Sequence, residues 1–307
     1  MSIVENKKLN FTLALLIFGR LSESAAISLK SIVNLNANKI CILADTSGEN
    51  WIRQYKEKYN LPTICVHKPI ETDLQSLGLN LSEVNEYSEF GKERFIKLTT
   101  FKWYLLSDIL IRHNELNGAL FSDLDVLWRN FPKMLDGFSE ENGGLAFIQD
   151  DSPLKSEKKH FCTGVMYWKN SEISKGILNE LFTAQKQNIQ NGNLIPDEPT
   201  FNNWYLNSKS SERIISFSNK EVVIGHRFLH LCTNQDLFNY KSFSCFHANY
   251  VVGEARKFLL LDTLSKRING EITWIFGAII YLIIKVSEKI KFMELGRRKN
   301  GYINSRK

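Results

Sequence analysis

Cysteine is scarce and scattered. The five residues Cys41, Cys65, Cys162, Cys232 and Cys245 are odd in number and lie far apart along the chain. Such spacing excludes a disulfide framework and the close ligand pairs of zinc modules, and it reads as small core residues in a reduced compartment. Repeats and low-complexity tracts are also missing, which excludes solenoids and disordered arrays. Net positive charge is absent from most of the molecule. From Lys285 onward eight basic residues face two acidic ones, which accounts for the whole net charge of +6 and leaves residues 1–284 neutral. Nucleic-acid binding would need basic residues spread over a folded face among base-stacking groups, and that pattern does not occur.

What is present is the material of a large core. Of 307 residues, 43% are hydrophobic and 12% aromatic, enough for one sizeable α/β domain with appended elements. The apolar run from Phe11 to Phe18 follows Lys7 and Lys8, as in a signal peptide. It is short, however, and leads through Gly19 into a helix-like stretch, so it reads as a buried first strand.

Short apolar runs alternate with helix-period segments through the first half, the signature of βαβ units and a mixed, mostly parallel sheet flanked by helices. Strands are expected near 12–18, 39–44, 63–66, 119–122, 144–148, 164–168, 214–217 and 244–247. Helices are expected near 24–33, 50–58, 93–113, 172–186 and 198–206. In the 93–113 helix Phe95, Leu98, Leu105 and Ile109 share one stripe, and Lys102 falls on the same stripe. Either its stem snorkels to the surface or it reaches a phosphate or an acidic pair at the edge of the sheet.

The chemistry concentrates in Gly118 to Trp128, GALFSDLDVLW, an apolar strand that breaks into Asp123 and Asp125. Ligands of open α/β sheets sit beyond the carboxyl ends of strands, so acids placed there face a crevice. Two carboxylates one residue apart can share Mg²⁺ or Mn²⁺, hard ions that complete their shell with substrate phosphates. A solvated turn is the plain alternative; the clean strand before the pair, and Trp128, Phe131 and Pro132 after it, favour a structured return.

This segment resembles the aspartate motif of GT-A glycosyltransferases. The wider pattern is similar to the nucleotide-diphospho-sugar transferase family that includes plant arabinosyl-, xylosyl- and galactosyltransferases. The matching pieces occur in order over roughly residues 10 to 260: Lys102; Leu120 to Trp128; Thr163 and Gly164; DEPTFN from Asp197 to Asn202; and HANYVVGEARK from His247 to Lys257. The resemblance implies a GT-A, Rossmann-like fold over residues 1–262. It also implies transfer of a sugar from a nucleotide-diphosphate donor, a UDP-sugar first among them, to a glycan, lipid or protein acceptor.

By the same resemblance Asp123, Asp125 and His247 would hold Mn²⁺ or Mg²⁺, although a lone histidine is also a common structural group. Gly253, Arg256 and Lys257 would serve the diphosphate, and Thr163 and Gly164 would line the donor sugar. Asp197 and Glu198 would act beside the acceptor, unless Asp197 is simply a helix N-cap. Position alone makes Phe18, Gly19 and Arg20 after the first strand, and Asp45 after the second, nucleotide contacts. The family relation implies retention of anomeric configuration. Two other classes stay open: a non-catalytic sugar-nucleotide-binding protein, and a haloacid-dehalogenase-like phosphatase, whose aspartate motif usually opens the chain and continues Gly-Thr.

Residues 263–307 form a separate segment, an uncharged run of 13 from Ile272 to Ile284 followed by the basic tail. As a helix the run reaches about 20 Å, short of the roughly 30 Å of hydrocarbon in a bilayer. It is either a core helix or an in-plane anchor, which places the protein in the cytoplasm or at the cytoplasmic surface of a membrane.

Overall fold

The computed structural model describes residues 10–19, 21–68, 71–78, 92–131, 145–150, 160–217, 222–224, 244–248, 254–280 and 283. The chain begins with strand β1 (Phe11–Ile17), helix α1 (Glu23–Ser31), β2 (Lys39–Ala44), α2 (Thr46–Tyr59) and β3 (Thr63–His67). These strands are nearly unbroken runs of apolar residues because helices cover both faces of the sheet. Next come α3 (Glu71–Ser76), α4 (Lys92–Thr99), α5 (Phe101–Arg112), β4 (Gly118–Ser122) and β5 (Val126–Trp128). The remaining elements are β6 (Leu145–Asp150), β7 (His160–Lys169), α6 (Glu172–Gln190), α7 (Asp197–Asn207), β8 (Ile214–Phe217), β9 (Val222–Ile224), β10 (Cys245–His247) and α8 (Glu254–Ile268).

The large sheet runs β3-β2-β1-β4-β7-β6-β8, and a small one runs β5-β10-β9. In the large sheet only β7 is antiparallel to its neighbours β4 and β6. Strand order proceeds outward from β1 through β2 to β3 and then reverses to β4. The carboxyl ends of β1 and β4 therefore flank a topological switch point, where a crevice opens. One core lies between the sheet and α5, α6 and α7; the other lies against α1 and α2. The small sheet packs its Leu127 and Phe246 on Leu260, Leu261 and Leu264 of α8.

Two features depart from the sequence reading. The single helix expected over 93–113 is broken at Thr100, where the hydroxyls of Thr99 and Thr100 both donate to the Ile96 carbonyl and compete with the helical ladder. Phe95 leaves the expected stripe at 54% exposure, while Leu98, Leu105 and Ile109 stay buried. The sequence reading also lacked β5, β9 and α8.

The four described cysteines are free. Cys41 and Cys65 are cross-strand neighbours, and Cys41 lies near His67 and His113. These histidines are engaged otherwise: the His67 ring donates to Asp108 at 2.6 Å, and the Lys39 ammonium lies 3.2 Å from His113 Nδ1.

Candidate metal and donor site

The Asp-Leu-Asp triplet is the bend by which the chain leaves the large sheet and enters the small one. Strand β4 ends at Ser122, residues 123–125 turn, and β5 begins at Val126. Trp128 clamps the bend. Its indole N–H donates to Ser122 Oγ at 3.0 Å, and its backbone N–H donates to Ser31 Oγ of α1 at 2.8 Å. The structured return expected from Trp128 is thus built from two buried hydrogen bonds.

Strand pairing delivers His247 across more than a hundred residues of sequence. Strand β10 runs antiparallel to β5 with His247 opposite Val126, and the Ala248 amide donates to the Asp125 carbonyl at 3.0 Å. His247 Nε2 then lies 3.0 Å from Asp125 Oδ1 and 3.5 Å from Asp123 Oδ2. Despite this closeness Nε2 has no partner in hydrogen-bonding geometry and is fully buried. Burial alone would lower the pKa of this imidazole, but Cys162, Asp125 and Asp123 together raise it well above the usual histidine value. Burial likewise favours neutral Asp125, yet His247 and Lys257 outweigh it and hold the carboxyl below its usual range.

A bulge supplies the third side. Phe147 of β6 faces Met166 of β7 and the next residue, Ile148, faces Cys162, so Thr163, Gly164 and Val165 are looped out of that ladder. Gly164 turns instead to β4, where its carbonyl accepts from the Asp123 amide at 2.8 Å. A methyl group on Gly164 would overlap His247 Cε1 and come within 2.6 Å of Asp123 Oδ2. Only glycine fits between the aspartate and the histidine. Cys162, at the start of the bulge, places Sγ 3.3 Å from His247 Nδ1, which leaves Nε2 as the ring atom aimed at the carboxylates.

Lys102 does not snorkel: at 2% exposure it reaches an acidic group, ion-pairing with Asp197, and donates to the Thr163 carbonyl at 3.0 Å. Asp197 Oδ2 also accepts from Thr163 Oγ1 at 2.7 Å. Burial would lower the Lys102 ammonium, but Asp197 and Asp123 hold it above the usual lysine value. Asp197 is not a cap, because Pro196 occupies the N-cap of α7 and Asp197 sits in the first turn beside the partly exposed Glu198. Asn202, one turn further on, grips β7 by exchanging hydrogen bonds with the Phe161 amide and carbonyl, at 2.8 and 2.9 Å.

On α8, Lys257 reaches the acidic bend, donating to Asp125 Oδ2 at 2.6 Å. Asp45 does not present an open carboxylate to a ligand. It caps α2 through the Gly48 amide at 2.6 Å and holds the Gly19 amide at 2.8 Å, so it shapes the turn after β1. Phe18 packs against the core behind that turn. Arg20 and Gly253 lie outside the described residues. Cys162 was missed at the level of sequence, where nothing distinguishes it from other buried cysteines.

Comparison with known proteins agrees with this architecture. A model of the nucleotide-diphospho-sugar transferase family matches residues 63–261. Among solved structures, the apo glycosyltransferase GlyE of Streptococcus pneumoniae is 12% identical with a TM-score of 0.50, over 91% of this chain and 64% of that one. Mouse xyloside xylosyltransferase 1 is 10% identical with a TM-score of 0.48, over 79% of this chain and 98% of that one. Core-mannan synthase A of Aspergillus fumigatus, in an Mn/GDP form, is 10% identical with a TM-score of 0.46, over 70% and 74% of the respective chains. At these identities the likeness is one of fold, the GT-A type. No curated protein sequence matches the chain.

Proposed function

The chain belongs to the nucleotide-diphospho-sugar transferase family, and on that premise we propose that it moves a sugar from a UDP-sugar to a hydroxyl of a sugar-bearing acceptor, with Mn²⁺ or Mg²⁺ as cofactor and with retention at the anomeric carbon. The phosphatase reading falls with the family. The observation that carries the proposal is the convergence of Asp123, Asp125 and His247 at the bend between the sheets, with ligand atoms within 4.8 Å of one another.

These residues fit a divalent ion. Nε2 of His247 is buried, unpartnered and adjacent to two carboxylates, the placement of a ligand atom rather than of a hydrogen-bond donor. Two carboxylates and one imidazole leave room in the shell for diphosphate oxygens, as Mn²⁺ and Mg²⁺ favour. The ion would neutralise the diphosphate as it leaves.

The protein's own groups do the rest. Lys257, already at the bend, supplies a second positive charge to the departing diphosphate. Gly164 leaves the room in which Asp123 and His247 meet, and the buried Lys102–Thr163–Asp197 cluster fixes the bulge beside them. The partly exposed Glu198 at the start of α7 is the group of the Asp197–Glu198 pair left to orient the acceptor, since Asp197 is held by Lys102 and Thr163. The acceptor oxygen attacks the anomeric carbon on the face the diphosphate leaves. The anomeric C–O bond to phosphate breaks as the new glycosidic bond forms, and the acceptor's proton passes to a diphosphate oxygen.

The test is a screen of UDP- and GDP-sugars with Mn²⁺, read as sugar release and transfer. Asp125→Asn should lower Mn²⁺-dependent turnover at least about 100-fold. Full activity in that variant would overturn the site, donor binding without turnover would make the chain a non-catalytic binder, and an inverted product by NMR would refute retention.

A further inference from the structure

The end of the described chain carries an unpartnered apolar face. Helix α8 closes at Gly270 in a Schellman turn, the Glu271 amide bonding to the Lys266 carbonyl at 2.8 Å and the Gly270 amide to the Arg267 carbonyl at 3.1 Å. Helical backbone resumes over 274–280 and at 283. It packs back on α8: the Arg267 guanidinium lies 4.5 Å from the Trp274 ring centroid, and Gly277 sits so near Thr263 that a methyl group there would strike its hydroxyl. Four residues back along α8 correspond to three forward along the second helix, the mark of an antiparallel hairpin.

Trp274 and Gly277 occupy one side of the second helix. Ile272, Ile275, Phe276, Ile279, Ile280 and Ile283 follow a spacing of three, four, seven, eight and eleven and lie together on the other side, at 40–76% exposure. No other stretch among the described residues collects exposed large apolar side chains in this way, and monomers seldom leave such a stripe bare. Directly after it comes the segment from Lys285 that carries the protein's entire net charge of +6. That charge opposes pairing of the stripe with a second copy, whose tail would be equally positive, and complements an anionic surface. Among the described residues no helix is long and apolar enough to cross a membrane, so the stripe suits lying in the interface rather than spanning it.

We propose that this stripe and the basic segment behind it dock the protein on the surface of a bilayer rich in anionic lipid. The stripe is carried by the helix that packs on α8, and α8 is the helix that brings Lys257 to Asp125. The bilayer then lies beside the mouth of the metal and donor site. An acceptor hydroxyl carried on a lipid-anchored glycan would be delivered there directly. That last step rests on the transferase reading, whereas the docking does not.

The experiment is flotation of the full chain with vesicles of phosphatidylcholine alone or with about one-third phosphatidylglycerol, at low and high salt. The bound fraction should be at least about tenfold greater on the anionic vesicles and should fall in high salt. The variant Phe276→Ser/Ile279→Ser/Ile280→Ser alters only exposed side chains. It should lose most of this binding while keeping its circular dichroism and its donor hydrolysis in solution. Failure of the intact chain to float on anionic vesicles overturns the proposal, as does equal flotation of the triple variant. A stripe-dependent dimer that ignores lipid would assign the face to a second copy instead. Loss of donor hydrolysis in the intact protein would strike the transferase reading and leave the docking result standing.

Discussion

At the scale of single residues, the site depends on one missing side chain. Gly164 separates Asp123 from His247, and any Cβ there must displace one of them. Gly164→Ala should therefore lower turnover at least about 100-fold, because ligands displaced by an ångström lose their alignment with the substrate. Far-UV circular dichroism should stay native; an alanine variant with parental kcat and Mn²⁺ affinity would remove Gly164 from the site. The Asp123–Asp125 pair stood out in sequence through its company, the clean strand before it, Trp128 after it and the ordered motif pieces elsewhere, since alone it reads equally as a solvated turn. Lys257 was half legible, as one of two neighbouring basic residues. Cys162 was not legible, since its closeness to His247 comes from a bulge in β7 that no local residue pattern announces.

Elements are joined through buried charge. Lys102 on α5 and Asp197 on α7 meet behind Thr163 of the bulge, so a single pair ties two helices to the strand that lines the donor side. Lys102→Met would leave Asp197 and the Thr163 carbonyl without their shared donor and should cost about 3–5 kcal/mol in urea unfolding. Adding Asp197→Asn should return most of that loss, because the uncompensated charge goes with it. No recovery in the double variant would show that the lysine acts through something other than this pair. Periodicity identified the stripe on which Lys102 lies but not its partner, for the partner arrives from a helix about a hundred residues away. The same periodicity misjudged Phe95, which is 54% exposed, because a stripe of matching residues does not say which of them a neighbouring element covers.

For the molecule as a whole, acid stability should register the tie between the sheet and its covering helix. Asp108 of α5 accepts from His67 of β3 and from Arg112. Burial would raise the Asp108 pKa, but these two donors outweigh it and hold it below the usual value. A carboxyl whose folded pKa is depressed stabilises the protein above its unfolded pKa of about 3.9 and loses that contribution as the pH falls through the folded value. Asp108→Asn should thus be less stable than the parent at pH 7 by on the order of 1 kcal/mol, with the gap closing below about pH 4. Parallel melting curves for the two proteins across that range would contradict the assignment.

The sequence by itself determined the α/β alternation, most strands and helices of the large sheet and its cover, the acidic bend and the order of the motif pieces, but neither β5 nor α8, which complete the site. These follow from side-chain periodicity and residue chemistry, which are local. Only the tertiary structure decided that Lys102 serves Asp197, that Asp45 shapes a turn, that Lys257 is the lysine at the bend, and that the face from Ile272 to Ile283 stands open. Each of those outcomes depends on what a distant strand or helix brings opposite, and the energy that fixes it is the burial and pairing of groups that meet only when the chain has folded.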